Sequence, residues 1–479
     1  MNREIIHQSH RKTTYSGERI YIDNAALAHA GFTPGARFRT TTDVNSHTVE
    51  FEIDSHGANM VSKKVKKETS IPVIDKMGSD IRAALKECAQ IKVTFVQDRV
   101  IIEGIKQSAD VLKEIHEIKE HTALTTISFC AGAGISSQCM VDAGFSEVAA
   151  VEWNPKEGSE HKFSEVYTRN HPDTVMFNMP MQMLQPNDLP YADVWVATLD
   201  CTDFSKASNG TKKEYHTMHL FMHLMRLFWG REIADRPMAI LLENVPEFEK
   251  VAGISLELCL QEEGFFTTRA KLDSLDYGSR TKRERFFMVA SIYEGFTFPE
   301  ATGRNSRSIQ ADGVLQVDDL EWITAEDSDT LKYFLSREQK GGMTHNHHMT
   351  LFDLTTDSYI GTITKSHHKI QPENWIKHPT DPNLYAYLKG EHIRALHGIS
   401  PDYYLGDSNK MVVESIGQSV CLQTFKAIAC KLYAFLSGKV GVAVRSLNNV
   451  IAFDQPESKT DNYDAELFSF ERSGQLVMF

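Results

Sequence analysis

Between Leu124 and Phe298 short apolar runs alternate with helix-patterned stretches, and that alternation limits the possible folds more than any other feature of the chain. LTTISFCAGAG reads as a strand entering a glycine turn; SEVAAVEWN, DVWVATLDC, MAILLENV and RFFMVASI read as further strands. Strands that are apolar along their whole length, with helices between them, form a parallel sheet covered on both faces. The fold class is therefore α/β. Open sheets of this kind place their chemistry at the carboxyl ends of the strands. Cys201 falls at such an end, where VWVATLD gives way to the polar TDFSKASNG.

The flanking regions have different patterns. Residues 1–122 read as a separate β-rich module with an internal repeat: RIYIDNAALAHAGFTPGARFRTTTDVNSHTVEFEI is echoed by IPVIDKMGSDIRAALKECAQIKVTFVQDRVIIEG. Two copies of a small β unit suit a closed or swapped barrel. Lys63, Lys64, Lys66 and Lys67 lie between the copies and read as a solvated linker, with phosphate contact as the alternative. A helix with Val111, Leu112, Ile115 and Ile118 on one face closes the module. Residues 123–298 hold the alternating strands and helices and, with Cys201 at a strand end, are expected to be the catalytic, cofactor-binding part. Residues 299–385 are irregular and polar, 386–440 return to helix (Glu391 to His397, Gln418 to Leu436), and 441–479 are a polar tail.

Bulk properties exclude some classes. No apolar run approaches a membrane span, and the N-terminus has no apolar signal core. Seven cysteines without a CxxC pair fit reduced thiols in a cytoplasm. The net charge of −13 argues against a uniformly basic nucleic-acid coat but leaves room for a local basic cleft.

SFCAGAGISS places Gly132 and Gly134 between a strand and a helix, where glycine lets the backbone turn sharply and approach a ligand. Glu152 follows eighteen residues after Gly134, at the end of the next strand, where a carboxylate can accept from ribose hydroxyls. The pair points to a nucleotide-like cofactor. A GxxxxGK[ST] motif is absent, which excludes a P-loop site.

Four elements then follow in order: Cys201 at one strand end, Glu243-Asn244-Val245 at the next, Arg283 and Arg285 in RTKRERFFMVA, and Gly417-Gln418-Ser419-Val420 opening the late helix. With the glycine turn and Glu152-Trp153, this succession resembles the DNA cytosine-5 methyltransferase family from roughly Thr125 to Leu436. The resemblance implies a Rossmann-like fold that uses S-adenosyl-L-methionine, double-stranded DNA as substrate, and residues 299–385 as a small target-recognition region. It implies a thiolate of Cys201 that adds to cytosine C6, a proton-bearing Glu243 near N3 and N4, Arg285 on the cytosine O2, and Arg283 bracing the loop or a phosphate. The low-polarity strand end should raise the Glu243 pKa. Cofactor contacts are implied for Phe129, Cys130, Ala131, Gly132, Gly134, Glu152, Trp153, Asn178, Met179, Asp200, Gln418, Ser419 and Val420, and no metal.

The chain departs from the family pattern at several places. Asp200 precedes the cysteine where proline is usual, and its charge should raise the thiol pKa; Thr281 stands for glutamine and Gln418 for asparagine. Either Phe129 or Cys130 fills the usual phenylalanine position of the cofactor turn. Phe204 and Ser205 keep the usual Phe-Ser after the cysteine. An RNA cytosine-5 methyltransferase and an inactive DNA-binding relative remain alternatives. His216, His219 and His223 on one helix face read as packing among methionines. His345, His347, His348, His367 and His368 read as polar DNA contacts. The last residues, Gln475 to Phe479 (QLVMF), resemble the bacterial sliding-clamp binding pentapeptide; the other reading is a terminal plug docked on the protein itself.

Overall fold

The computed structural model describes residues 4–12, 19–66, 69–88, 90–153, 162–201, 219–339 and 349–442. Lys67, Phe204, Ser205, His216, His345, His347, His348 and the QLVMF segment lie outside the described residues.

The N-terminal part contains β1 (Ile5–Lys12), β2 (Arg19–Ile22), α1 (Ala26–His29), β3 (Arg37–Asp43), β4 (Thr48–Ile53), β5 (Asn59–Met60), β6 (Ser62–Lys66), β7 (Thr69–Met77), α2 (Ser79–Leu85), β8 (Gln90–Val96) and β9 (Arg99–Ile105). One sheet has the order β1-β8-β9-β4-β3-β5 and a second the order β2-β7-β6. The segment β2-α1-β3-β4 is repeated as β7-α2-β8-β9, and equivalent strands of the two copies pair: β2 with β7 and β4 with β9, both antiparallel. Alternate residues such as Val49, Phe51, Val93, Phe95, Val100 and Ile102 point into one shared core. The lysine run is not a linker. Lys63, Lys64 and Lys66 lie on β6, paired with β7, and the Lys64 ammonium sits 3.1 Å from Asp23. A regular ladder can form there because β7 supplies a partner strand for every residue of β6.

The connecting helix α3 (Ser108–Ile118) packs differently from its sequence pattern. Its buried residues are Ser108, Ala109, Leu112 and His116, whereas Ile118 is 88% exposed. Polar partners rotate the helix: Ser108 hydrogen-bonds Glu263, and His116 bonds His121 at 3.0 Å. Ala109 and Leu112 belong to the core of the large sheet, so a boundary at 122/123 would cut through that core.

The large sheet is built from β10 (Thr125–Phe129), β11 (Ser146–Glu152), β12 (Val175–Asn178), β13 (Val194–Ala197), β14 (Ala239–Asn244), β15 (Phe266–Asp273) and β16 (Glu284–Ser291), in the order β12-β11-β10-β13-β14-β16-β15. Helices α4 (Ile135–Asp142), α5 (Lys162–Asn170), α6 (Leu220–Trp229) and α7 (Ile254–Glu262) connect the strands. Every residue of β13 and β14 is buried, as expected for strands covered on both faces. The expectation of an all-parallel sheet fails at one strand. β16 runs antiparallel to both β14 and β15, because only a short turn separates β15 from β16 and a parallel return needs a crossover.

Beyond the sheet lie α8 (Asp329–Gln339), β17 (Leu351–Phe352), β18 (Trp375–Lys377), β19 (Tyr385–Tyr387), α9 (Gly390–Leu396), α10 (Asn409–Gln418) and α11 (Leu422–Val440). The region read as irregular thus contains a helix, and its Leu331 packs with Trp375 and Met349 in a small separate core. The late helix expected from Gln418 begins at Leu422, and a further helix, α10, precedes it across the break at Ser419–Cys421. No single helix among the described residues is long and apolar enough to cross a membrane.

Removing residues 1–106 should leave the large sheet's core intact. Removing residues 1–122 also strips Ala109 and Leu112 from it, and loss of a buried leucine costs about 2–5 kcal/mol. Thermal denaturation should give the shorter deletion the higher melting temperature; equal melting temperatures would contradict this packing.

Candidate active site

Cys201 is positioned by the two strands that flank its own. The Thr198 main-chain N–H donates to the Phe129 carbonyl (3.2 Å) and its hydroxyl to the Cys130 carbonyl (3.1 Å), which ties the loop to β10. From the other side, the Asn244 side-chain amide donates to the Leu199 carbonyl (3.0 Å), and its oxygen accepts from Val245 N–H (2.9 Å). Asn244 is 1% exposed, so both bonds form away from water, where leaving them unmade is costly. The ENV segment therefore fixes the cysteine loop with its asparagine and presents Glu243 beside it.

Glu243, Arg285 and Arg283 surround the half-buried thiol of Cys201. The Arg285 Nε lies 3.2 Å from Glu243 Oε1. Burial pushes the Cys201 thiol up; Arg285 and Arg283 oppose that shift, while Glu243 and Asp200 add to it. Burial also raises the Glu243 pKa, against the pull of the two arginines. Asp200 is exposed, and its main-chain N–H bonds the Cys130 sulphur, a contact a proline at that position could not make.

Arg283 does not reach toward solvent or a phosphate. Its guanidinium is 6% exposed and donates to the carbonyls of Gly417 (3.2 Å) and Ile363 (3.3 Å). Burial and the adjacent Arg285 push its pKa down to about 10, so it remains charged at neutral pH. The Gly417 carbonyl is taken out of the helical ladder at the end of α10. This accounts for the break that follows, so that GQSV ends one helix instead of opening the next.

The glycine turn forms one wall of a cleft lined by Cys130, Ala131, Gly132, Ala133, Ile135, Ser136, Phe163, Thr198, Ser415, Gln418, Ser419 and Val420. Gly134 has φ +85°, and a Cβ there would lie 2.9 Å from the His171 and Tyr167 rings, so only glycine fits. Gly132 has φ +55° and no atom within 4 Å of where a Cβ would stand, which leaves the face over the turn open to a ligand. The Glu152 carboxylate accepts from Gly132 N–H at 2.7 Å. From behind, Tyr403 donates to the Ala133 carbonyl (2.8 Å), and His171 Nε2 lies 3.2 Å from the Gly134 carbonyl.

The model for the C-5 cytosine-specific DNA methylase family matches residues 124–434 of the chain. The chain belongs to this family. As a methylase it resembles the Type II methyltransferase M.NlaX of Neisseria lactamica, 26% identical over 258 residues, 52% of this chain and 79% of that protein. The Type II methyltransferase M.NgoMIV of Neisseria gonorrhoeae is 28% identical over 193 residues, 39% of this chain and 58% of that protein. The crystal structure of the S. pombe Dnmt2 methyltransferase superposes with a TM-score of 0.51 at 15% identity, covering 65% of this chain and 99% of that one, which shows the shared fold. Family membership makes the methylase an S-adenosylmethionine-dependent enzyme that acts on cytosine C5 in DNA.

The expected site residues of the methylase stand in different surroundings. Phe129 is fully buried against Trp195 (ring centroids 5.0 Å apart), so its side chain belongs to the core and Cys130 faces the cleft. β10 ends at Phe129, and Cys130 follows it with a left-handed backbone (φ +55°), outside strand geometry, that turns its side chain to the cleft. Asn178 pairs in register with Glu152 but lines a separate shallow depression with Ser164, Thr168, Arg169 and Met176. Met179 packs on the main core, and Trp153 is 37% exposed outside the cleft lining. His367 cannot meet DNA: it is 2% exposed and stacked on Tyr387 at 4.4 Å. Sequence reasoning missed Thr198, Ser136, Phe163, Ser415, His171 and Tyr403, which contribute through position and carry no motif.

Because its folded pKa is raised, Glu243 favours the folded state most below its unfolded pKa, and that contribution is lost as pH rises through the folded value. Glu243→Gln should therefore melt above wild type at pH 8, with the gap closing toward pH 4. A pH-independent gap would contradict the burial-driven shift.

Proposed function

We propose that the methylase transfers a methyl group to C5 of a cytosine flipped out of duplex DNA, with Cys201, Glu243 and Arg285 as the groups that touch the base. The observation that carries this reading is the Arg285–Glu243 ion pair at 3.2 Å, with Glu243 on the strand next to the Cys201 loop that Asn244 holds. The Cys201 thiolate adds to C6 and makes C5 electron-rich. Glu243, whose pKa burial raises, donates a proton to N3 and relieves the negative charge that the addition creates. Arg285 donates to O2, and by releasing Glu243 from their ion pair it favours the protonated acid. Cys130, Gly132 and Gln418–Val420, which line the cleft, would hold S-adenosylmethionine, and the bound cofactor would supply an electrophilic methyl group to C5. The C5 proton then leaves to solvent or a base, and the C6–S bond breaks. Arg283 acts as a positioning residue through Gly417 and Ile363. A base inside a duplex is out of reach of Cys201, so it must leave the stack at a cost of about a few kcal/mol.

Residues 299–385 are the part we assign to target recognition, and residues 1–106 together form a β-rich module that precedes the catalytic part. By analogy with the Type II relatives, the setting is a restriction–modification system in a cytoplasm. For the QLVMF end we keep the clamp-binding reading: Leu476, Met478 and Phe479 would fill an apolar pocket, tethered by an acidic segment.

Wild-type protein should transfer tritiated methyl groups to duplex DNA and none to tRNA. It should also form a stable adduct with DNA containing 5-fluorocytosine. Cys201→Ser should lose both, because a hydroxyl is a far poorer nucleophile near neutral pH. Persistent trapping by that variant would sink the assignment of the nucleophile, and labelling of tRNA alone would sink the substrate.

A further inference from the structure

At the opposite end of the large sheet from the catalytic residues lies a buried cluster that the reaction does not use. His116 comes from α3 and His121 from the segment that follows it. Asp193 immediately precedes β13. One nitrogen from each imidazole and one carboxylate oxygen all lie within 4.8 Å of one another. His116 Nδ1 faces His121 Nε2 at 3.0 Å, with ring centroids 5.0 Å apart. Asp193 Oδ1 lies 3.8 Å from His121 Nδ1. His116 is 3% exposed and Asp193 is 2% exposed.

Two features distinguish this cluster from an ordinary hydrogen-bonded pair. The first is charge. Asp193 is a buried carboxylate, and among the described residues the only basic side chain within ion-pair distance is His121. A buried carboxylate without a compensating cation is expensive, and hydrogen bonds only lessen that cost. The second is the surrounding support. Thr125 donates to Asp193 Oδ2 from both its main-chain nitrogen (2.8 Å) and its hydroxyl (2.9 Å). The Tyr191 hydroxyl donates to Asp193 Oδ1 at 2.8 Å and lies 3.4 Å from His116 Nε2. The carboxylate and one imidazole are thus oriented by outer hydrogen bonds, as metal ligands are.

We propose that His116, His121 and Asp193 bind a structural zinc ion, with water in the fourth position. Two imidazole nitrogens and a carboxylate oxygen form a donor set suited to zinc. Ligand nitrogens on a tetrahedral zinc stand about 3.3 Å apart, given zinc–nitrogen bonds of about 2.0–2.1 Å. The observed 3.0 Å is close to that spacing, so His116 Nδ1 and His121 Nε2 can both reach one ion once they lose the hydrogen bond between them, and Asp193 Oδ1 closes in by a small shift from its present contact with His121 Nδ1. The role is structural. Thr125 opens β10 and Asp193 precedes β13, whereas Cys130 and Cys201 follow the other ends of those strands. Zinc here would fasten α3 and the chain that follows it to the edge of the catalytic sheet, which fixes how the N-terminal module is held.

The full-length protein, stripped with a chelator and dialysed, should retain one equivalent of added zinc per chain by elemental analysis. The ion should raise the melting temperature by at least about 4 °C. Cobalt substitution should give visible d–d absorption without thiolate charge-transfer bands, which distinguishes this nitrogen–oxygen site from the chain's cysteines. His121→Gln should abolish the cobalt absorption, and added zinc should no longer raise its melting temperature. A wild-type chain that retains no zinc, cobalt spectra with thiolate bands, or an unchanged cobalt spectrum in His121→Gln would each overturn the site. The wild-type cobalt spectrum decides the question even if the variant fails to fold.

Discussion

The buried guanidinium of Arg283 holds the two halves of the active site together. It sits at the start of β16 and takes the carbonyls of Gly417 and Ile363, which come from chain far beyond the sheet. Together with the Ser419 N–H and hydroxyl, which both donate to the Ile416 carbonyl, those bonds secure the end of α10, where Gln418, Ser419 and Val420 line the cleft opposite the glycine turn. The same arginine lies among the charges around Cys201, so one residue affects cofactor geometry and thiol electrostatics together. Hydrogen bonds from a charged donor contribute about 1.5–3 kcal/mol each, enough to decide between alternative endings of a helix.

The electrostatics of the cysteine are a contest between burial and charge, and burial wins in the free protein. Two arginines favour the thiolate, yet desolvation, Glu243 and Asp200 leave the thiol raised. Burial likewise raises the Glu243 pKa, in spite of its ion pair with Arg285. In the mechanism proposed here the thiol rests in its neutral form. The thiol would ionise only as the base arrives and Arg285 turns from Glu243 to the cytosine oxygen. A nucleophile that rests protonated is less exposed to oxidation and metal capture, both of which act on the thiolate.

The sequence disclosed what depends on local pattern. Apolar strands, the glycine turn, Cys201, ENV and the paired arginines were legible because each has a short, ordered signature. Strand direction was not: β15, whose burial is mixed along its length, lacks the continuous apolar run that marked the other strands, and with it went the antiparallel turn into β16. The side-chain faces of Phe129 and Cys130 could not be separated without knowing which strand neighbours cover them. The cleft residues Thr198, Phe163 and Ser415 converge from three segments and share no spacing. The helix α3 was misread on one face because His116, a polar residue, is turned inward by partners at His121 and Tyr191, which an apolar periodicity cannot anticipate.

The central claim is that Arg283 builds the cofactor cleft from a distance, while Arg285 serves the base. Calorimetric titration of S-adenosylmethionine into Arg283→Lys and Arg285→Lys tests it most directly. The account predicts that the first substitution weakens cofactor binding by about tenfold or more, the loss of one charged hydrogen bond. The second should leave cofactor binding within about twofold of wild type. Wild-type cofactor affinity in Arg283→Lys, with its fold confirmed by circular dichroism, would contradict it.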